Sequence, residues 1–132
     1  MKNFISYNNI QEELKTNNYA GLLLKFGSDR CPPCKALDSG PLDNLNMIVD
    51  KKCPNNKKLL IINCNLSMND FTQLIAETNI VMANSIPAFY LFKYNPTRSN
   101  LLELKYESLG YDTYNPKKWL EDMSNIILEN LK

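Results

Sequence analysis

The sequence predicts an α/β fold, a mixed sheet of four to five strands with helices on both faces. Three observations carry that prediction. Two nearly continuous apolar runs, Leu22-Leu23-Leu24-Lys25-Phe26 and Leu59-Leu60-Ile61-Ile62-Asn63-Cys64, have the composition of central strands covered on both sides. Segments with helical spacing lie between the runs, so successive strands are joined by crossovers. A third run, Ile86 to Phe92, is followed by turn residues and an alternating segment, which reads as an antiparallel hairpin.

The elements follow in order. Ile10 and Leu14, four apart with Glu12 and Glu13 nearby, predict a short helix over residues 9–15, ended by Asn17-Asn18. A short strand around residues 3–6 precedes it. The strand at residues 21–26 leads through Gly27-Ser28-Asp29-Arg30 to Cys31-Pro32-Pro33-Cys34 and a helix beginning Lys35-Ala36-Leu37. Ser39-Gly40-Pro41 breaks that helix, and Leu42, Leu45, Ile48 and Val49 continue it as a second piece. Residues 51–58 are polar and contain Pro54, so they read as a loop. After the strand at 59–64, Asn69 or Asp70 can cap a helix carrying Phe71, Leu74 and Ile75, ending near Asn79.

Pro87 near the start of the third strand is tolerated because its missing N–H falls outside the ladder. Residues 95–100 form the hairpin turn, residues 101–106 the returning strand, and Gly110 closes the region. Asn115-Pro116 supplies an N-cap and a first-turn proline for a last helix. Its apolar stripe is Trp119, Met123, Ile126, Ile127 and Leu131.

Bulk properties exclude several function classes. A chain of 132 residues accommodates one domain, residues 1–132, with a substantial core. The formal net charge of +1 argues against a nucleic-acid module, which needs clustered excess cations. Lys51-Lys52 and Lys57-Lys58 read as solvated surface. No apolar run approaches a membrane span of ~20 residues, and the first residues turn polar too early for a secretory signal. The expectation is a cytoplasmic monomer. The sequence contains no histidine, which removes Ser-His and Cys-His catalysis and imidazole-ligated metals. Four glycines cannot build a phosphate-cradling loop.

Cysteine remains. Cys31 and Cys34 have C-x-x-C spacing at a strand-to-helix junction, where a dithiol can cycle to a disulfide. Cys31 at the helix N-terminus would have its thiolate favoured by unpaired backbone N–H groups and the helix dipole. Cys34, one turn on, can close a small ring with it.

With these residues the chain resembles the thioredoxins. The resemblance rests on residues 22–34, the strand at 59–65, and Ser85-Ile86-Pro87 opening the next strand, with the hairpin and last helix completing it. It implies a thioredoxin fold with no bound cofactor and no metal. It also implies a cis Ile86–Pro87 bond, with Ile86 and Pro87 lying against the sulfurs and holding an extended substrate as an added strand. The implied activity is reduction of protein disulfides. Cys31 attacks, Cys34 resolves the mixed disulfide, and a thioredoxin reductase or glutathione returns the electrons.

Three positions depart from the family pattern. Arg30 replaces a tryptophan and adds positive charge beside Cys31, favouring its thiolate. Pro32-Pro33, where the family often has Gly-Pro, removes backbone donors near the sulfur and acts in the opposite sense. CPPC is similar to the tetrapeptide of tryparedoxin-like members. Lys25 stands where the family has a buried acid, and Asn63 where it often has a lysine. Three readings of Lys25 stay open: an ammonium lowering the pKa of Cys34, a base, or a snorkelling side chain.

Cys53, before Pro54, reads as an exposed thiol or a bystander, and Cys64 as a small buried hydrophobe. Zinc on the four cysteines is disfavoured by their spacing. A glutaredoxin-like, glutathione-using enzyme and a partner-binding module without catalysis could both be built on this type of fold. The segment before the cysteines argues against the glutaredoxin-like enzyme, and the presence of both cysteines against the binding module.

Overall fold

Apolar runs long enough to be covered on both faces become the middle of the sheet. In a computed structural model, described for residues 1–98 and 101–132, the strands are β1 (Lys2–Asn3), β2 (Tyr19–Gly27), β3 (Lys58–Asn65), β4 (Ala88–Tyr94) and β5 (Leu102–Leu109). The helices are α1 (Tyr7–Thr16), α2 (Pro32–Asp38), α3 (Pro41–Lys52), α4 (Thr72–Thr78) and α5 (Pro116–Asn130). The sheet order is β1-β3-β2-β4-β5. β1, β3 and β2 are parallel, whereas β4 runs antiparallel to both β2 and β5. The two predicted central strands are therefore neighbours.

Alternation along β2 builds two cores. Leu22, Leu24 and Phe26 pack with Ile10 and Leu14 of α1 and Leu74 of α4. Leu23 and Ala20 face the other way, toward Leu37 of α2, Leu42, Leu45 and Val49 of α3, and Met123 and Ile127 of α5. Each such fully buried aliphatic side chain stabilises the fold by about 1.5–3 kcal/mol.

Several boundaries differ from the sequence expectation for identifiable reasons. The first strand is Lys2–Asn3 rather than residues 3–6, because Ser6 caps α1 by accepting from the Asn9 N–H. α3 runs through Lys52, and a short 3-10 turn, Pro54–Asn56, occupies the expected polar loop. α4 begins at Thr72, leaving Phe71 outside the helix. Asp70 accepts from the Thr72 N–H at 2.9 Å, while Phe71 packs its ring 5.3 Å from that of Phe26. β4 starts only after Pro87, and β5 extends three residues beyond Tyr106. Ser99 and Asn100 of the expected hairpin turn lie outside the described residues. The Gly40-Pro41 break separates α2 from α3 as the sequence predicts, with Pro41 the first residue of α3.

Candidate active site

The parallel strand β2 ends at Gly27, and the three-residue loop Ser28-Asp29-Arg30 turns the chain into α2. Backbone hydrogen bonds fix that turn: the Cys31 N–H donates to Ser28 O at 3.3 Å and the Leu66 N–H to Gly27 O at 2.8 Å. Asn65 of β3 donates to Asp29 Oδ1 at 2.8 Å, tying the cysteine-bearing loop to the loop after β3. Cys31 is the N-cap of α2, with Pro32 and Pro33 in the first turn. Neither proline has a backbone N–H, so the donor nearest the N-cap is that of Cys34. It donates to Cys31 Sγ at 3.3 Å. The CPPC sequence thus leaves a single helix-end N–H, that of Cys34, on the Cys31 sulfur.

Cys31 and Cys34 form a disulfide with their Cα atoms 5.2 Å apart. Cys31 is 8% exposed and Cys34 only 1%, so the outer sulfur is Cys31. Across from it, Cys31 Sγ lies 3.9 Å from Ile86 O, and the Ile86–Pro87 peptide bond is cis. Pro87 O accepts from the Gly110 N–H at 2.7 Å, which anchors this loop to the end of β5. The Tyr90 hydroxyl accepts from the Ala83 N–H and donates to Val81 O, both at 3.0 Å, holding the segment that leads to Ile86.

Beneath the disulfide lies Lys25, 1% exposed, on the face of β2 shared with Leu23. Its Nζ meets Asp38 Oδ1 of α2 at 2.7 Å and Asn63 Oδ1 of β3 at 3.1 Å. The snorkelling reading of Lys25 is overturned, because the side chain is buried and its amine is held by Asp38 and Asn63 rather than reaching the surface. Gly27 makes room here. A Cβ added to it would lie 2.9 Å from Lys25 Nζ and 3.0 Å from Cys34 Sγ.

The remaining expected residues fall as follows. Arg30 is exposed beside Cys31, Pro32 is exposed, and Pro33 is half-buried. Cys53 is 7% exposed, correcting the expectation of an exposed thiol. It caps α3 and packs with Ala20, Leu59 and the other residues of that core, and burial and nearby Asp50 push its thiol up. Burial likewise pushes the Cys64 thiol well up, on the opposite face of the sheet. The two are free and do not join the Cys31–Cys34 pair. Sequence reasoning missed Asp38. A signal was present: it lies four residues after Cys34, one turn further along the same helix.

No family model matches the chain, and no curated protein sequence does. Solved structures do. The germline-specific thioredoxin Deadhead of Drosophila melanogaster aligns with a TM-score of 0.63 at 17% identity, over 95% of this chain and 98% of that one. A Trichomonas vaginalis thioredoxin aligns at 0.57 and 18% identity, over 93% and 96% of the two chains. Thioredoxin of Malassezia sympodialis gives 0.57 and 16%, over 99% and 93%. The chain has the thioredoxin fold. On that fold it carries a cysteine pair at disulfide-bonding distance, placed where β2 passes into α2. No helix among the described residues is long and apolar enough to cross a membrane.

Proposed function

We propose that this protein is a thiol–disulfide oxidoreductase that reduces protein disulfides through Cys31 and Cys34. The single observation that carries the reading is the asymmetric pair itself: an outer sulfur at a helix N-cap, disulfide-bonded to a buried one. In the reduced protein the Cys31 thiolate attacks one sulfur of a substrate disulfide and expels the other as a thiolate. Cys34 then attacks Cys31 Sγ, the bond from Cys31 to the substrate breaks, and the Cys31–Cys34 disulfide forms. Exposed Arg30 adds positive charge beside the attacking sulfur. The backbone of Ile86, next to Cys31 Sγ, is positioned to pair with an extended substrate segment. Thioredoxin reductase or glutathione is the proposed donor of electrons, and the cytoplasm the proposed compartment, since a reductant needs a reducing pool.

The test is turnover of a disulfide-bonded protein such as insulin, with either a thioredoxin reductase system or glutathione as donor. Multiple turnovers with one of them are expected. Absence of turnover with both, together with Cys31 and Cys34 thiols that resist oxidation, would leave a partner-binding module on this fold.

A further inference from the structure

Among the described residues Lys25 is the only buried charged side chain. An ammonium taken out of water is costly unless partners replace its hydration, so its surroundings must be arranged for it. Asp38 and Asn63 provide that arrangement, at 2.7 and 3.1 Å. The two distances from Gly27's added Cβ, 2.9 and 3.0 Å, together bound the Lys25 Nζ to Cys34 Sγ separation at 5.9 Å. A buried ammonium held under the inner sulfur by a partly exposed carboxylate has a consequence for that sulfur whenever it carries charge.

Building on the dithiol reading above, we propose that the Lys25 ammonium stabilises the Cys34 thiolate, and that Asp38 sets how much of that charge Cys34 feels. Lys25 transfers no proton in this scheme. The Cys34 proton leaves to solvent and the resulting thiolate attacks Cys31 Sγ. The departing substrate thiolate takes up a proton from solvent. Two protein thiols are oxidised to one disulfide and one substrate disulfide is reduced to two thiols.

The other groups around Cys34 do not supply this charge. On the same face β3 offers neutral Asn63 and β4 offers Phe89, and Cys64 and Tyr90 belong to the opposite core. α3 and α5 present Leu42, Leu45, Met123 and Ile127. The α3 acids are engaged elsewhere, Asp43 with the N-terminal amine and Asp50 with the Leu59 N–H. The α5 pair Lys118–Asp122 is exposed and self-neutralising. Lys35, Asp29 and Arg30 are exposed, where water screens them.

The experiment is a pH titration of thiolate absorbance in a Cys31→Ser background, where Cys34 is the site's only thiol. Cys53→Ala and Cys64→Ala are added to that background, so that Cys34 is the only thiol that titrates. Lys25→Met is expected to move the Cys34 midpoint up, with about a ten-fold lower thiolate fraction near neutral pH. Asp38→Asn, which removes the opposing negative charge, is expected to move it down. In the protein with both cysteines, Lys25→Met makes the pair more reducing at pH values above the Cys34 midpoint, where the reduced form carries the thiolate. A purely structural role would move both variants the same way. The proposal is overturned if Lys25→Met leaves the midpoint in place, or if the two variants shift it in one direction. Should Lys25→Met fail to fold, Asp38→Asn decides alone, since its side chain is 35% exposed. Turnover by the unmodified protein separates this from the reading beneath it: turnover with an unmoved midpoint sinks only the role of Lys25.

Discussion

Two adjacent cross-strand pairs at the end of β2 face opposite sides of the sheet. Phe26 lies opposite Cys64 and points into the core under α1 and α4. Lys25 lies opposite Asn63 and points toward α2. On the first side Phe26 meets the rings of Phe71 and Tyr90 edge-on, at 5.3 and 5.7 Å, and burial pushes the Cys64 thiol up. On the second side a charge is buried and paired, next to the inner sulfur of the Cys31–Cys34 disulfide. One residue of register separates an all-apolar packing site from one that holds a buried charge beside a disulfide. Burial alone therefore does not decide what a cysteine does; the polar groups sharing its face do.

The largest expected contrast is in turnover. Cys31→Ser should lower disulfide reduction by about three orders of magnitude or more, because Cys31 is the outer sulfur of the one cysteine pair and the two other cysteines stand apart from it. Cys64→Ala should leave the rate within about two-fold, measured in the same assay, since its sulfur faces the other core. Comparable losses in both variants would erase the distinction between the faces.

A second contrast concerns stability. Phe26→Ala should cost about 3–5 kcal/mol in denaturant unfolding, as lost burial plus a cavity between the Phe71 and Tyr90 rings. Lys25→Met should change stability by about 1 kcal/mol or less. Its removal leaves Asp38 partly in water rather than stranded, and a methionine fills the vacated core with apolar atoms. A large loss in Lys25→Met would mean that the pair is chiefly a structural brace.

The fold was legible where pattern and physics agree. The runs around Leu22 and Leu59, the Gly40-Pro41 break and the Asn115-Pro116 start all specify local structure through their own residues. Boundaries set by side-chain caps were harder. Nothing within residues 3–6 favours ending the strand at Asn3 until the Ser6 hydroxyl is seen to accept from Asn9. Cys31 and Cys34 were legible as a pair because their spacing is local. The environment of Lys25 was not, since it depends on Asp38 and Asn63, residues 13 and 38 positions away. Cys53 was misplaced for a related reason: its polar neighbours in sequence, Lys51, Lys52 and Asn55, say nothing of the α3–β3 core into which it folds.

The smallest effect is a pH slope. Burial raises the folded-state ionisation of Cys64 above its ordinary value of 9.0, so the folded chain holds a proton that the unfolded chain loses first. The associated stability is complete below pH 9.0 and declines as pH rises beyond it. Cys53 contributes in the same direction. Unfolding midpoints compared at about pH 8 and about pH 10.5 should fall less in Cys64→Ala than in the unmodified protein. Equal slopes would place Cys64 outside the linkage.

The central claim is that Cys31 is the attacking sulfur and Cys34 the resolving one. Incubating reduced Cys34→Ser with a disulfide-bonded protein and mapping the adducts by peptide mass spectrometry tests it directly. The account predicts a mixed disulfide that accumulates on Cys31 and persists, because the sulfur that would release it is gone. Adducts formed mainly on Cys53, or none at all under conditions where the unmodified protein turns over, would contradict it.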